Sequence, residues 1–327
     1  MIHERDKEVL FCSWFGRWEA RKAPLMPCKL WEHIYHMMNR CSSIPEFSYQ
    51  LRSTGLHDFA VLTESDFIFD AYKILEKRKK IGWEIICSYD ESKFPVLMRE
   101  RLGINCPPVL WKKGENDCFS LPAIAVVGSR NLNPEEEKFA FETGELLANL
   151  HIAVISGAAK GADSLSVFGA LAKSGKGVHF LPGGKEGRMP KASAYITENT
   201  CARGFERYSA LRRNRWIYAS GECAIVVSSR FGEGGAWCGA LEAFRRKICP
   251  IAVYIGQEPS SGNDALMRLG ATPVRNIEEL KCFVKNVINT RSIFNHDKKD
   301  FACSAYKNSS KSRYKKSAYE NSIHYAA

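Results

Sequence analysis

The chain has 327 residues, 45% of them hydrophobic and 25% charged. That is apolar content enough to bury a sizeable core, which excludes a wholly disordered chain. A net charge of +11 suits an anionic partner, either nucleic acid or an acidic membrane surface, and does not choose between them. The first residues, Met1, Ile2, His3 and Glu4, carry no apolar signal core, and no run approaches the roughly 18 apolar residues of a membrane span. A soluble, cytoplasmic protein with no membrane partner is therefore expected. None of the 12 cysteines sits in a Cys-x-x-Cys pair, the spacing that converges two thiolates on one zinc or one disulfide. Cys87, Cys223 and Cys249 lie in apolar stretches and read as reduced, buried thiols.

From residue 1 to about 82 apolar residues recur at helical spacing: Trp31, Ile34, Tyr35 and Met38 share one face, and Phe67, Ala71, Ile74 and Leu75 share another. Glycine is rare here, so a small helical domain is predicted. At Trp83 the character changes. Largely apolar runs at 83–87, 123–127, 153–155, 177–181, 224–227 and 251–255, without regular alternation, predict strands buried on both faces, as in a parallel sheet. Helical stretches between them, 135–150 and 163–173 among them, predict βαβ units. Asn133 suits the cap of the first of these, Pro134 its first turn, and Glu135, Glu136 and Glu137 its positive end. The fold class is thus α/β, a Rossmann-like, mostly parallel sheet over 83–284 behind a helical domain over 1–82. From 285 to 327 nine Lys and Arg stand against three acids in a Ser- and Tyr-rich tail that reads as disordered.

Ligands of open parallel sheets bind beyond the carboxyl ends of the strands. Those ends read Gly128-Ser129-Arg130, then Ser156-Gly157-Ala158-Ala159-Lys160-Gly161-Ala162-Asp163, then Pro182-Gly183-Gly184-Lys185, and last Gly232-Glu233-Gly234-Gly235-Ala236. Glycine at each joint allows backbone to approach a ligand, and Arg130, Lys160 and Lys185 add cations, the makings of a phosphate site. Neither Gly-x-Gly-x-x-Gly after the first strand, nor a P-loop, nor a Gly-x-Ser-x-Gly elbow occurs, which disfavours dinucleotide cofactors, P-loop hydrolysis and serine esterase chemistry. His33 and His36 share a helix face without a third ligand and read as surface or packing residues. Asp163 reads first as a cap of the following helix and second as a catalytic group.

The densest feature is the segment from Arg203 to Arg215, with five arginines and one acid directly before Trp216-Ile217-Tyr218. Guanidinium groups bind phosphates bidentately and rings offer stacking platforms, so the pattern suits a nucleic-acid strand better than a solvated charged face.

Phe94-Pro95-Val96-Leu97, Pro107-Pro108-Val109-Leu110-Trp111, Val127-Gly128-Ser129-Arg130 with the 156–163 loop, Arg213-Asn214-Arg215, and Gly262-Asn263 with Gly270-Ala271 follow one another over some 180 residues. In that order they resemble the DprA/Smf DNA-processing family, whose members bind single-stranded DNA and help load recombinase during natural transformation. The chain departs from the family pattern at Lys160 in place of a loop arginine, at Val167 in place of a histidine, and at Gly234-Gly235-Ala236, where the family's hydroxyls are missing. The segment from 190 to 213 also reads as short, without the extra strand the family places there.

The resemblance implies a DNA-binding protein without a chemical step, metal or cofactor, a homodimer, and a RecA-type recombinase as partner. DNA or phosphate contacts are expected from Gly128, Ser129, Arg130, Ser156, Gly157, Lys160, Gly161, Lys185, Arg212, Arg213, Asn214 and Arg215. Two rivals remain. One is a nucleotide phosphoribohydrolase, on the loose likeness of Gly234-Gly235 followed by Glu242 to that motif. The other is a nucleotide-binding sensor.

Overall fold

The structure, a computed structural model, describes residues 1–15, 28–90, 93–115, 118–183, 191–198 and 207–291. Lys185, the part of the arginine segment from 203 to 206 and the tail beyond 291 lie outside the described residues.

Five helices come first, α1 (Glu4–Phe15), α2 (Cys28–Arg40), α3 (Ile44–Ser53), α4 (His57–Val61) and α5 (Ser65–Lys80). Trp31, Ile34 and Met38 of α2 and Ala71 and Leu75 of α5 are buried, as their spacing predicts. Their core is shared with Trp83, Ile85 and Cys87 of β1 (Trp83–Cys87) and with Val109 and Trp111 of β2 (Val109–Gly114).

Seven further strands complete one sheet: β3 (Ala123–Val127), β4 (Ala153–Gly157), β5 (Gly177–Phe180), β6 (Ala194–Thr197), β7 (Ala224–Val226), β8 (Ile251–Tyr254) and β9 (Thr272–Val274). The order is β1-β2-β6-β5-β4-β3-β7-β8-β9. Every pairing from β6 through β9 is parallel. β1 and β2 pair antiparallel, as do β2 and β6. The run at 83–87 is therefore a strand but not a parallel one. Ile85 joins the core under the N-terminal helices while Ile86 joins the main core on the other face. A largely apolar run reports burial on two faces, and direction is a separate matter.

Three strands lie outside the runs picked out in the sequence. β2 carries Lys112, fully buried with its ammonium 2.7 Å from Glu84 Oε1, so a charged residue masks a core strand. β6 occupies the stretch expected to lack a strand, bonding to β5 on one side and β2 on the other. β9 is three residues at the sheet edge.

The remaining labelled helices are α6 (Val96–Leu102), α7 (Pro134–Asn149), α8 (Ala162–Ala172), α9 (Arg207–Ser220), α10 (Gly234–Arg245) and α11 (Ser261–Arg268). α7 opens as its sequence predicts, with Glu136 N–H donating to Asn133 Oδ1 at 2.8 Å and Asn133 N–H to Glu136 Oε2 at 3.0 Å, a reciprocal cap. Alternation along the strands builds two layers. Ala123, Ala125 and Val127 face a core that includes Trp216 and Ile217 of α9 and Ala240 and Ala243 of α10. α8, packed on α7, contacts the same central strands from the other side, where Val167 meets Gly177.

From β3 the chain moves outward through β4, β5 and β6, then returns to β7, β8 and β9 on the opposite side. The order reverses between β3 and β7, and the crevice beyond the carboxyl ends of two such strands is where an open α/β sheet takes a ligand. One compact unit runs from Met1 to Lys281 and ends in helical residues 277–281. The described part of the second unit, 282–291, is also helical, so regular structure continues past residue 285, where the sequence suggested a tail. Among the described residues no helix is long and apolar enough to cross a membrane.

Candidate functional site

A cavity of about 500 Å³ lies at this reversal point. Gly128, Ser129 and Arg130 line it from the end of β3, Asp163 from the first turn of α8, and Arg213 and Asn214 from α9. Arg230, Glu233 and Gly235 complete it from the loop between β7 and α10. Arg130 and Arg230 are exposed and neither makes an ion pair with a described residue. Asn214 donates from Nδ2 to Gly235 O at 3.2 Å, tying α9 to the start of α10.

The expected site residues divide into those the fold brings to the cavity and those it uses internally. Gly128, Ser129, Arg130, Arg213 and Asn214 line the cavity; Ser156, Gly157, Lys160, Gly161, Arg212 and Arg215 do not. Lys160 is exposed next to Ala159, which does line it. The Arg-Asn-Arg motif and the apolar Trp216-Ile217-Tyr218 that follows it belong to one helix, since α9 starts at Arg207 and carries the motif in its interior. Ala210, Leu211 and the arginines are good helix formers, so the change from polar to apolar marks a change of burial and no boundary.

Arg213, expected to neutralise a phosphate, is only 9% exposed, and its Nη1 donates to Phe180 O at 2.9 Å. Its charge faces Asp163, itself buried. Burial pushes the Asp163 carboxyl up to about 6, against the opposing pull of Arg213, hydrogen bonding from the Ala159 backbone and the Ser156 side chain, and Arg130. Asp163 is consequently neither the helix cap nor an open acid, since the N-cap of α8 is Gly161. Arg213 and Asp163 also explain Gly157. A Cβ there would collide with Arg213 Nη1 and Asp163 Oδ2, so the glycine makes room for two of the protein's own side chains rather than for a ligand.

Two more expectations are corrected in the same way. Ser156 is fully buried and its hydroxyl donates to Val126 O at 2.6 Å. Gly161 has φ +75°, and a side chain there would strike Ser129 O, so it serves the contact between two neighbouring joints. Arg212 pairs with Glu198 and lies 5.7 Å over the Trp216 ring. Arg215 places Nη2 2.7 Å and Nε 2.9 Å from Glu242 Oε1, which Arg246 also approaches at 3.1 Å. Glu242, the acid of the phosphoribohydrolase reading, is thereby neutralised by two arginines and does not line the cavity.

The sequence reading missed Arg230 and Glu233 as lining residues and gave no role to Asn263. Asn263 is fully buried; its Nδ2 donates to Val226 O, Val227 O and Tyr254 O at 3.0, 3.1 and 2.8 Å, and its Oδ1 accepts from Ser229 Oγ at 2.8 Å. It locks the ends of β7 and β8 to the loop carrying Arg230. The Gly262-Asn263 pair was visible as a motif, but nothing local announced partners 9, 36 and 37 residues away.

The family model for DNA recombination-mediator protein A matches residues 85–285. A putative DNA processing protein DprA of Mycobacterium tuberculosis is 28% identical over 247 residues, which is 68% of this chain and 62% of the relative. The chain thus spans just under two thirds of the length of that curated relative. DNA processing protein DprA of Streptococcus pneumoniae is 33% identical over 94 residues, 29% of this chain and 33% of that protein. Its crystal structure superposes with a TM-score of 0.61 at 18% identity, covering 86% of this chain and 98% of that one. DNA processing protein A of Helicobacter pylori, whose structure is reported for its single-stranded DNA binding mode, gives a TM-score of 0.50 at 19% identity, covering 62% and 96%. With the family model matched from β1 to beyond β9, the chain belongs to the DNA recombination-mediator protein A family.

Proposed function

We propose that the chain binds single-stranded DNA across the mouth of the cavity between β3 and β7, as a DNA-processing protein without a chemical step of its own. The observation that carries this reading is the set of exposed cations Arg130, Lys160 and Arg230, without an ion pair among the described residues, on three separate joints around one crevice. Cations fixed on a rigid frame can follow a phosphate backbone, and no recognition helix or zinc motif is present in the sequence to read duplex bases. The H. pylori relative, named for single-stranded DNA binding, supports the choice of ligand. Recombinase loading in DNA uptake or recombination, a RecA-type partner and a homodimer are parts of the same proposal, resting on family membership. So is the division of the chain at residues 82 and 284.

Titration of labelled single-stranded DNA, duplex and mononucleotides at two or more salt concentrations tests the reading. Three surface cations imply three phosphate contacts, and log K should fall with log salt at a slope of about −2, from roughly −0.7 per phosphate on single strands. Tighter binding to duplex than to single strands would count against it. Saturable binding of a mononucleotide with none of DNA would favour a nucleotide sensor.

A further inference from the structure

The loop between β7 and α10 holds one aromatic ring in water. Phe231 is 63% exposed, next to the lining residue Arg230, and its ring centroid lies 5.0 Å from that of the buried Trp237 at 58°. Exposed phenylalanines are common on loops and carry no meaning when the backbone beneath them is free to move. This backbone is fastened. Phe231 N–H donates to Ser261 Oγ at 3.1 Å, Ser229 N–H to Ser260 Oγ at 3.1 Å, Gly262 N–H to Ser229 O at 2.9 Å, and Ser229 Oγ to the buried Asn263. Glu233 N–H closes the turn on Arg230 O at 3.2 Å. The start of α11 therefore pins the loop along its length, and Trp237 limits the ring from behind. Gly232 and Gly234, both at positive φ with nothing within 4 Å of a Cβ position, keep the space beside the ring clear.

We propose that Phe231 is a stacking platform for one unpaired base of the bound strand, with Arg230 beside it on the phosphate; this rests on the reading of the cavity as a single-stranded DNA site. A pre-ordered ring loses little freedom when a base covers it, and stacking is indifferent to base identity because every base has a π face. The specificity that results is for single strands, whose bases are free to leave a stack, and not for sequence.

Anisotropy titrations of the full chain compare a labelled oligothymidylate with an abasic oligomer of the same length. Phe231→Ala should weaken oligothymidylate binding roughly tenfold and leave the abasic oligomer unaffected, as expected for the loss of one base–aromatic stack. Phe231→Trp should restore or exceed native binding. Phe231→Leu, which keeps apolar bulk against Trp237, should behave like the alanine variant and guards against a collapsed loop. Arg130→Ala should weaken both oligomers equally. If Phe231→Ala binds both oligomers like the native protein, or loses both to the same extent, Phe231 is not a stacking residue while the cavity reading stands. If the native protein binds neither oligomer, the cavity reading fails and the stacking site falls with it.

Discussion

The joint between β4 and α8 and the joint between β7 and α10 look alike in sequence, each a glycine-rich turn at the carboxyl end of a central strand. They are opposites in space. In the first, the room freed by Gly157 is filled by Arg213 and Asp163, and Gly161 presses against Ser129 O. In the second, Gly232 and Gly234 face open space. A glycine at a strand end shows that something comes close to the backbone, and whether that is a ligand or the protein itself depends on what other elements bring in. Here the first joint anchors the frame and the second stays open at the cavity.

The largest expected effect tests that contrast directly. Gly157→Ala forces a methyl group against the buried Arg213 and Asp163 side chains, where overpacking costs about 1–3 kcal/mol and losing the hydrogen bond from Arg213 to Phe180 O about 1–3 kcal/mol more. A loss of at least about 2 kcal/mol in urea denaturation is expected, a large fraction of the stability of a marginal protein. Gly234→Ala meets no atoms and carries only the strain of φ +78°, so its loss should be about 1 kcal/mol. Equal losses for the two variants would erase the distinction.

A smaller effect concerns the buried Asp163 carboxyl near Arg213. The folded protein holds the Asp163 proton up to about pH 6, whereas an ordinary aspartate releases it near 3.8. This group therefore contributes stability at pH below about 4 that is lost as pH rises to 6. Binding should move with it. Protonated Asp163 no longer offsets Arg213, so affinity for single-stranded DNA should rise severalfold between pH 7.5 and 5.5. His179, pushed down to about 4 by burial, stays neutral across this window, and Tyr218 is raised well above 10. Asp163→Asn should bind at pH 7.5 as the native protein does near 5.5, and should lose this component of the pH profile, as followed by anisotropy. An unchanged profile in that variant would place the titrating group elsewhere.

The smallest effect is expected at Arg215, which the motif alone would rank among the strongest contacts. Its guanidinium is held by Glu242 outside the cavity lining, so Arg215→Ala should change DNA affinity less than about twofold while costing on the order of 1 kcal/mol of stability. Arg130→Ala should show the reverse, about tenfold weaker binding with stability unchanged, as befits an exposed, charge-assisted contact. A large affinity loss at Arg215 would mean that the pair opens to receive the strand.

The sequence by itself determined a good deal. Apolar runs located β1, β3, β4, β5, β7 and β8 because strands covered on both faces are built mostly of apolar side chains. Asn133, Pro134 and Glu136 marked the start of α7 because capping is local chemistry within four residues. The ordered motifs pointed to the family, and the strand ends pointed to the crevice. Tertiary structure alone decided the rest. β2, β6 and β9 exist because neighbouring strands supply their hydrogen bonds, and β2 hides a lysine whose carboxylate lies 28 residues away on β1. The same holds for charge. Nothing near Arg213, Arg215 or Arg130 in the chain says that the first faces Asp163, the second Glu242, and the third water. An arginine's availability to a ligand is a property of what the fold places opposite it, and those partners are brought there by helix packing and strand order across tens of residues.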